Sequence, residues 1–99
     1  VGAYSATKAA LIQVTKSQSI ELARYNICVN ALAPGYILTD INRDQLGGET
    51  GDLLKKKIPL KRFATVDELD TIISMLLNIS NTYMTGAVVA VDGGLSTGL

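Results

Sequence analysis

A tyrosine and a lysine stand four residues apart in the run Tyr4-Ser5-Ala6-Thr7-Lys8. On a helix four residues are close to one turn, so the two side chains project from one face and the ammonium reaches the neighbourhood of the phenol. That pairing has an acid/base use. A free tyrosine titrates near ~10, and a fixed positive charge beside it favours the tyrosinate and brings the value down. The positive end of a helix dipole acts in the same direction. A phenol tuned in this way can take a proton from an alcohol or return one to a carbonyl oxygen. Taken alone, the pair also fits a tyrosine packed at a helix start with a lysine in solvent, so the residues downstream decide between the two.

Downstream come Asn30-Ala31-Leu32-Ala33-Pro34-Gly35-Tyr36-Ile37-Leu38-Thr39, then Gly86, then Val91-Asp92-Gly93-Gly94. In that order and at those separations the segments resemble the C-terminal portion of a short-chain dehydrogenase/reductase, and the resemblance runs essentially from end to end. It implies an oxidoreductase that moves hydride between NAD or NADP and an alcohol or carbonyl substrate. Tyr4 is then the general acid/base, and Lys8 both tunes Tyr4 and hydrogen-bonds the nicotinamide ribose. Pro34 and Gly35 end a strand at its carboxyl edge, where ligands bind in open α/β sheets. By the same resemblance Ile37 meets the nicotinamide carboxamide through its backbone, and the Thr39 hydroxyl reaches carboxamide or phosphate. Asn30 reads as a structural polar residue tying adjacent loops together, and Asp92-Gly93-Gly94 as a turn or an intersubunit contact.

Other family features have no counterpart in these 99 residues. They include the glycine-rich pyrophosphate loop, since Gly47-Gly48 follows no strand, the residue that selects NAD or NADP, and the catalytic serine. The expectation is therefore a C-terminal fragment, residues 1–99, of one NAD(P)-binding Rossmann-type domain, inactive by itself. The alternative is a truncated, non-catalytic module that acts by oligomerisation or interaction, and a third reading is a nucleotide-binding pseudoenzyme. Residues 38–60 correspond to the family's variable substrate lid. The stretches Leu22–Ile27 and Pro34–Ile37 are similar to gluconate and other sugar-acid or polyol dehydrogenases, and equally to 3-oxoacyl carrier protein reductases.

Composition narrows the partners. Hydrophobic residues make up 47% and charged residues 18%, an ordinary globular balance, with nine basic and nine acidic side chains. Zero formal charge leaves no electrostatic footprint for nucleic acid or an anionic bilayer. The basic run Lys55-Lys56-Lys57, with Lys61 and Arg62 nearby, reads as a solvated face. No stretch reaches the ~20 apolar residues of a membrane span, and no signal peptide or metal-ligand set is apparent. The single cysteine, Cys28, reads as a buried, inert thiol in a reducing compartment. A cytoplasmic homodimer or homotetramer acting on a small molecule is expected.

The elements that would carry these residues follow from pattern. A helix is predicted from about Ala3 to Arg24, with Asn26 in the left-handed conformation that ends helices. Tyr4, Lys8, Leu11, Thr15 and Leu22 share one side, assigned to the sheet. Ala6, Ala10, Gln13, Ser17 and Ile20 share another, assigned to a neighbouring helix. Ile27–Ala33 is read as a strand buried on both faces and stopped by Pro34. Asp40 is expected to cap a short helix over 41–46, with Gly47, Gly48 and Gly51 marking a mobile stretch. Thr65-Val66-Asp67-Glu68 is a capping box opening a helix near Val66. The stripe Leu69, Ile72, Ile73, Leu76, Leu77 faces inward, and Ala87–Val91 is a second strand. The order helix-strand-helix-helix-strand is α/β, and a right-handed crossover places the two strands side by side in parallel. With the resemblance, this is the C-terminal part of a doubly wound Rossmann-type parallel sheet.

Overall fold

The computed structural model describes residues 2–97, the side chain of Tyr4 excepted. Its elements in order are α1 (Gly2–Leu22), β1 (Ala31–Pro34), α2 (Arg43–Leu46), α3 (Gly48–Lys57), α4 (Val66–Leu77) and β2 (Val88–Val91), with 3₁₀ turns at Ala23–Tyr25 and Leu95–Thr97. The strands pair in parallel as a two-stranded sheet. Ala31 N–H donates to Ala87 C=O at 2.9 Å, and Gly35 N–H to Val91 C=O at 3.0 Å. The α/β class and the adjacent parallel strands are as the sequence predicts.

The chain divides into two compact units, Val1–Leu32 with Leu76–Val89 and Ala33–Met75 with Ala90–Leu99. In the first, α1 closes through a paired-hydrogen-bond cap. Ile27 N–H reaches back to Leu22 C=O and Asn26 N–H to Ala23 C=O, with Asn26 at φ 59°, ψ 34°. This is the left-handed ending expected at Asn26.

The packing of α1 differs from expectation. Thr15 and Ser19, one turn apart, are the buried positions, and each hydroxyl is satisfied by a carbonyl of its own helix, Leu11 and Lys16 respectively. Small side chains let the backbone approach closely: a Cβ added at Gly86 would lie 2.9 Å from Ser19 Oγ. Leu11, assigned to the covered side, is 62% exposed, and Ile20 is 78% exposed.

The first strand is shorter and less covered than predicted. Over 27–30 side chains take part of the place of a ladder: Gly86 at φ +74° breaks the extended path of the opposing chain, while its N–H still donates to Val29 C=O at 2.8 Å. Val29 N–H donates to Thr85 Oγ1 at 3.0 Å, while the Asn30 amide gives to Met84 C=O and takes from Ala87 N–H, at 2.9 and 3.0 Å. Asn30 thus has the tying role expected of it. Within β1 Ala31, Leu32 and Ala33 are half-buried and Pro34 is exposed, and among the described residues one side of the strand is unpaired. Cys28 is also not buried. Its thiol is exposed and lies against Thr82 C=O at 3.8 Å, in an open cleft of about 880 Å³ shared with Ile27 and Tyr83.

In the second unit the buried apolar side chains among the described residues are Ile58 (2% exposed) and Phe63 (8%). Three helices separate the strands, where two were predicted. The stretch expected to be mobile is α3. Gly47 ends α2 with its N–H on Arg43 C=O, Gly48 at φ +79° redirects the chain, and Gly51 is buried where a side chain would strike the Leu46 carbonyl. Lys55, Lys56 and Lys57 fall in the last turn of α3, at the negative end of its dipole. Asp40 does not cap α2. Asn42 precedes that helix, and Asp40 pairs with Arg43 at 3.3 Å.

The capping box at α4 is present as read. Thr65 N–H donates to Glu68 Oε1 at 3.0 Å and Glu68 N–H to Thr65 Oγ1 at 3.4 Å. After β2, Gly93 and Gly94 take φ +66° and +93°, and a Cβ on them would meet Ile58 and Pro59. The turn predicted at Asp92-Gly93-Gly94 is therefore one that only glycines can make. The expected docking or fraying of the tail concerns residues 95–99. Of these, Leu95–Thr97 form a 3₁₀ turn, and the last two residues lie outside the described ones.

Candidate active site

The sequence-predicted site residues fall in two places. Tyr4 and Lys8 are both on α1, one turn apart. Lys8 is exposed, and the Tyr4 side chain lies outside the described residues. From Gly2 to Ala10 the helix has Thr7 as its one β-branched residue and alanines at 3, 6, 9 and 10, a composition that favours helix.

Pro34, Gly35, Ile37 and Thr39 are drawn together at the carboxyl end of β1. Gly35 extends the ladder by one bond to Val91, and its bare Cα lies tight against Asp92: an added Cβ would stand 2.7 Å from Asp92 Cβ and 2.8 Å from its Cα. Only glycine fits there without displacing β2's exit. The Asp92 carboxyl accepts from Gly94 N–H at 2.9 Å and Ser96 N–H at 3.1 Å. Hydrogen bonding by Ser96, with a smaller contribution from the Gly94 amide, holds it below the ordinary carboxylate value.

Beyond Gly35 the segment runs as a short strap. Ile37 bridges Ala64 in parallel, with Ala64 N–H on Tyr36 C=O at 3.0 Å and Leu38 N–H on Ala64 C=O at 2.9 Å. The Tyr36 ring meets Phe63 edge to face at 6.1 Å, inclined by 62°, and the Lys55 ammonium sits 5.2 Å from the Phe63 ring centre. Arg62 grips the same turn with a bond to Phe63 C=O and two to Glu68, Nη1 to Oε1 at 2.7 Å and Nη2 to Oε2 at 2.8 Å. The Arg62 guanidinium first, and then the Thr65 amide, lower the Glu68 carboxyl to about 2.

Three residues of this arrangement are not singled out as site residues by the sequence: Ala64, Arg62 and Asn42. Asn42 accepts from Thr39 N–H at 2.7 Å and donates to Ile37 C=O at 2.8 Å. Its spacing of three from Thr39, in a segment rich in turn formers, is the signal that could have found it.

The order of these elements and the strap beside β1 define a class, and comparison with known proteins gives the same answer. The chain belongs to the short-chain dehydrogenase/reductase family; the family described as enoyl-(acyl carrier protein) reductase matches residues 1–96. The chain is 44% identical over 92 residues to the 3-oxoacyl-[acyl-carrier-protein] reductase FabG of Aquifex aeolicus, covering 93% of this chain and 37% of that one. It is 37% identical over 92 residues to the NAD-dependent glycerol dehydrogenase of Listeria innocua, covering 93% and 36%. Among solved structures, ElxO with NADP bound superposes with a TM-score of 0.86 at 32% identity, over 95% of this chain and 39% of that one. The chain thus spans about 37% of the length of the relatives it matches.

A bare glycine backbone lies at the carboxyl end of β1, followed by peptide groups held in fixed positions by Asn42 and Ala64. Among the described residues no helix is long and apolar enough to cross a membrane.

Proposed function

We propose that the chain is part of an NAD(P)-dependent oxidoreductase that interconverts an alcohol and a carbonyl compound. The observation that carries the reading is the pairing of Tyr4 and Lys8 one turn apart on α1 in a chain of this family. Tyr4 takes the alcohol proton in oxidation and returns it to the carbonyl oxygen in reduction, while the cofactor supplies the hydride acceptor or donor. Lys8 favours the tyrosinate and holds the nicotinamide ribose. Pro34 and Gly35 leave room for the cofactor, and Ile37 and Thr39 hold its carboxamide. FabG and glycerol dehydrogenase act on different compounds at comparable identity, so substrate choice is assigned to residues 38–60 and both an acyl thioester and a polyol or sugar acid are candidates.

The 99 residues alone are expected not to turn over substrate. The test is Tyr4→Phe in the intact protein, assayed for alcohol/carbonyl turnover and for NAD(P)H binding. Turnover should vanish with binding retained; unchanged turnover would remove the role of Tyr4.

A second reading has its own observation. In α1 the residues from Gly2 to Leu11, Tyr4 apart, are all exposed although alanines and Leu11 dominate them. A helix apolar on several sides calls for a covering surface, which favours association, as a homodimer or homotetramer of the enzyme or as the sole activity of a non-catalytic module. Sedimentation across a concentration series, with and without NAD(P)H, separates the two: association without nucleotide binding would favour the module.

A further inference from the structure

Both polar atoms of the Ile37–Leu38 peptide are taken by the protein itself. Its C=O accepts from Asn42 Nδ2 at 2.8 Å, and its N–H donates to Ala64 C=O at 2.9 Å. The next peptide is held too, since Thr39 N–H donates to Asn42 Oδ1 at 2.7 Å. One planar side-chain amide therefore grips two consecutive peptides, acting as a missing backbone partner would. The Asn42 N–H completes the loop on Thr39 Oγ1 at 3.4 Å, which leaves the hydroxyl proton of Thr39 to point elsewhere. Asn42 and all its partners lie in the second unit.

From this we propose that Asn42 is a positioning residue for the nicotinamide end of the cofactor. It fixes the strap from Ile37 to Thr39 in the geometry that receives a carboxamide, without touching the cofactor. This role rests on the dehydrogenase reading above and adds to it a residue that the family motif quoted from the sequence does not contain. A strap held in advance loses no backbone freedom when the ligand arrives, and preorganisation of this kind appears as affinity for the part of the ligand that it contacts.

The experiment measures the affinity of the intact protein for NAD(P)H and for ADP-ribose or its 2′-phosphate, which lack the nicotinamide. Asn42→Ala should weaken NAD(P)H binding about tenfold, the worth of one net hydrogen bond, and leave the ADP-ribose compound unaffected. Asn42→Asp keeps the acceptor for Thr39 N–H but sets a carboxylate against the Ile37 carbonyl. Its NAD(P)H affinity should recover as the pH falls and the carboxyl regains a proton to donate, a rescue that a merely structural residue would not show. If the unsubstituted protein prefers NAD(P)H and both variants keep that preference, or lose both ligands equally, the positioning role is overturned while the dehydrogenase reading stands. If the unsubstituted protein shows no preference for NAD(P)H, that reading fails and the role fails with it.

Discussion

Arg62 and Glu68 meet as a two-pronged ion pair, Nη1 donating to Oε1 at 2.7 Å and Nη2 to Oε2 at 2.8 Å, and the same carboxylate caps α4 through Thr65. The pair closes the turn that carries Phe63 and Ala64, and Ala64 is the backbone partner of the strap at Ile37. A surface contact is thereby tied to the geometry of the candidate cofactor segment.

Glu68 sets a pH dependence whose sign follows from its lowered carboxyl, about 2 against an ordinary ~4.3 in an unfolded chain. A depressed carboxyl contributes stability that is whole above the unfolded value and is lost as the pH falls through the folded one. The difference in denaturation midpoint between the unsubstituted protein and Glu68→Gln should therefore be constant near neutrality and shrink below about pH 4. A difference that stays the same down to strong acid would show that the carboxylate charge is irrelevant.

Gly35→Ala should destabilise the protein by about 1–3 kcal/mol, the usual cost of forcing a methyl into a filled space. The clash is with Asp92 Cβ and Cα, and a backbone atom cannot swing aside as a flexible side chain can. Urea unfolding measures it. An alanine variant as stable as the parent would mean that the two loops part easily, and the close approach would lose its significance.

Lys8→Ala, in the intact protein, should weaken NAD(P)H binding and move the activity profile to higher pH, by about one unit if the ammonium supplies the usual neighbouring-charge shift. Lys8 is exposed on α1, so the change should leave the melting temperature nearly as it was. An unaltered profile together with unaltered binding would make Lys8 an ordinary solvated lysine.

What could be read in the sequence was local and periodic. The capping box at Thr65, the left-handed ending at Asn26 and the glycine turn after Asp92 all depend on residues a few positions apart, and each is present; of the stripe on α4, Leu69, Ile72, Ile73 and Leu76 are half-buried while Leu77 is exposed. The misjudged features depend on what lies opposite. The strand expected over 27–33 is cut short where Gly86, at φ +74°, breaks the facing segment's extended path and Val29 N–H pairs with the Thr85 hydroxyl, 56 residues away. The apolar run around Cys28 predicts burial, yet apolar sequence records a tendency to be covered, and among the described residues its thiol is exposed. The helix α3 was hidden by its glycines. Gly51 is there for a close approach to Leu46, a reason composition alone does not reveal.

Of the candidate site, the motif residues were legible and their supports were not. Pro34, Gly35, Ile37 and Thr39 announce themselves by type and order, whereas Asn42 and Ala64 act through backbone partners that any residue supplies. The distinction is physical: side-chain chemistry is written in the sequence, and hydrogen bonds to peptide groups appear only once the chain has folded.

Pro34 has one more effect. Ala31 and Gly35 direct their N–H groups toward β2, so in a parallel ladder the alternate residues Leu32 and Pro34 turn theirs to the other side. Proline has no hydrogen to give, and Leu32 is left as the donor that β1 can offer there. A strand pairing along that side would find its carbonyls but one amide fewer than an unbroken ladder offers. The residue that ends the strand beside the candidate site thus also thins the donors along the strand's unpaired side.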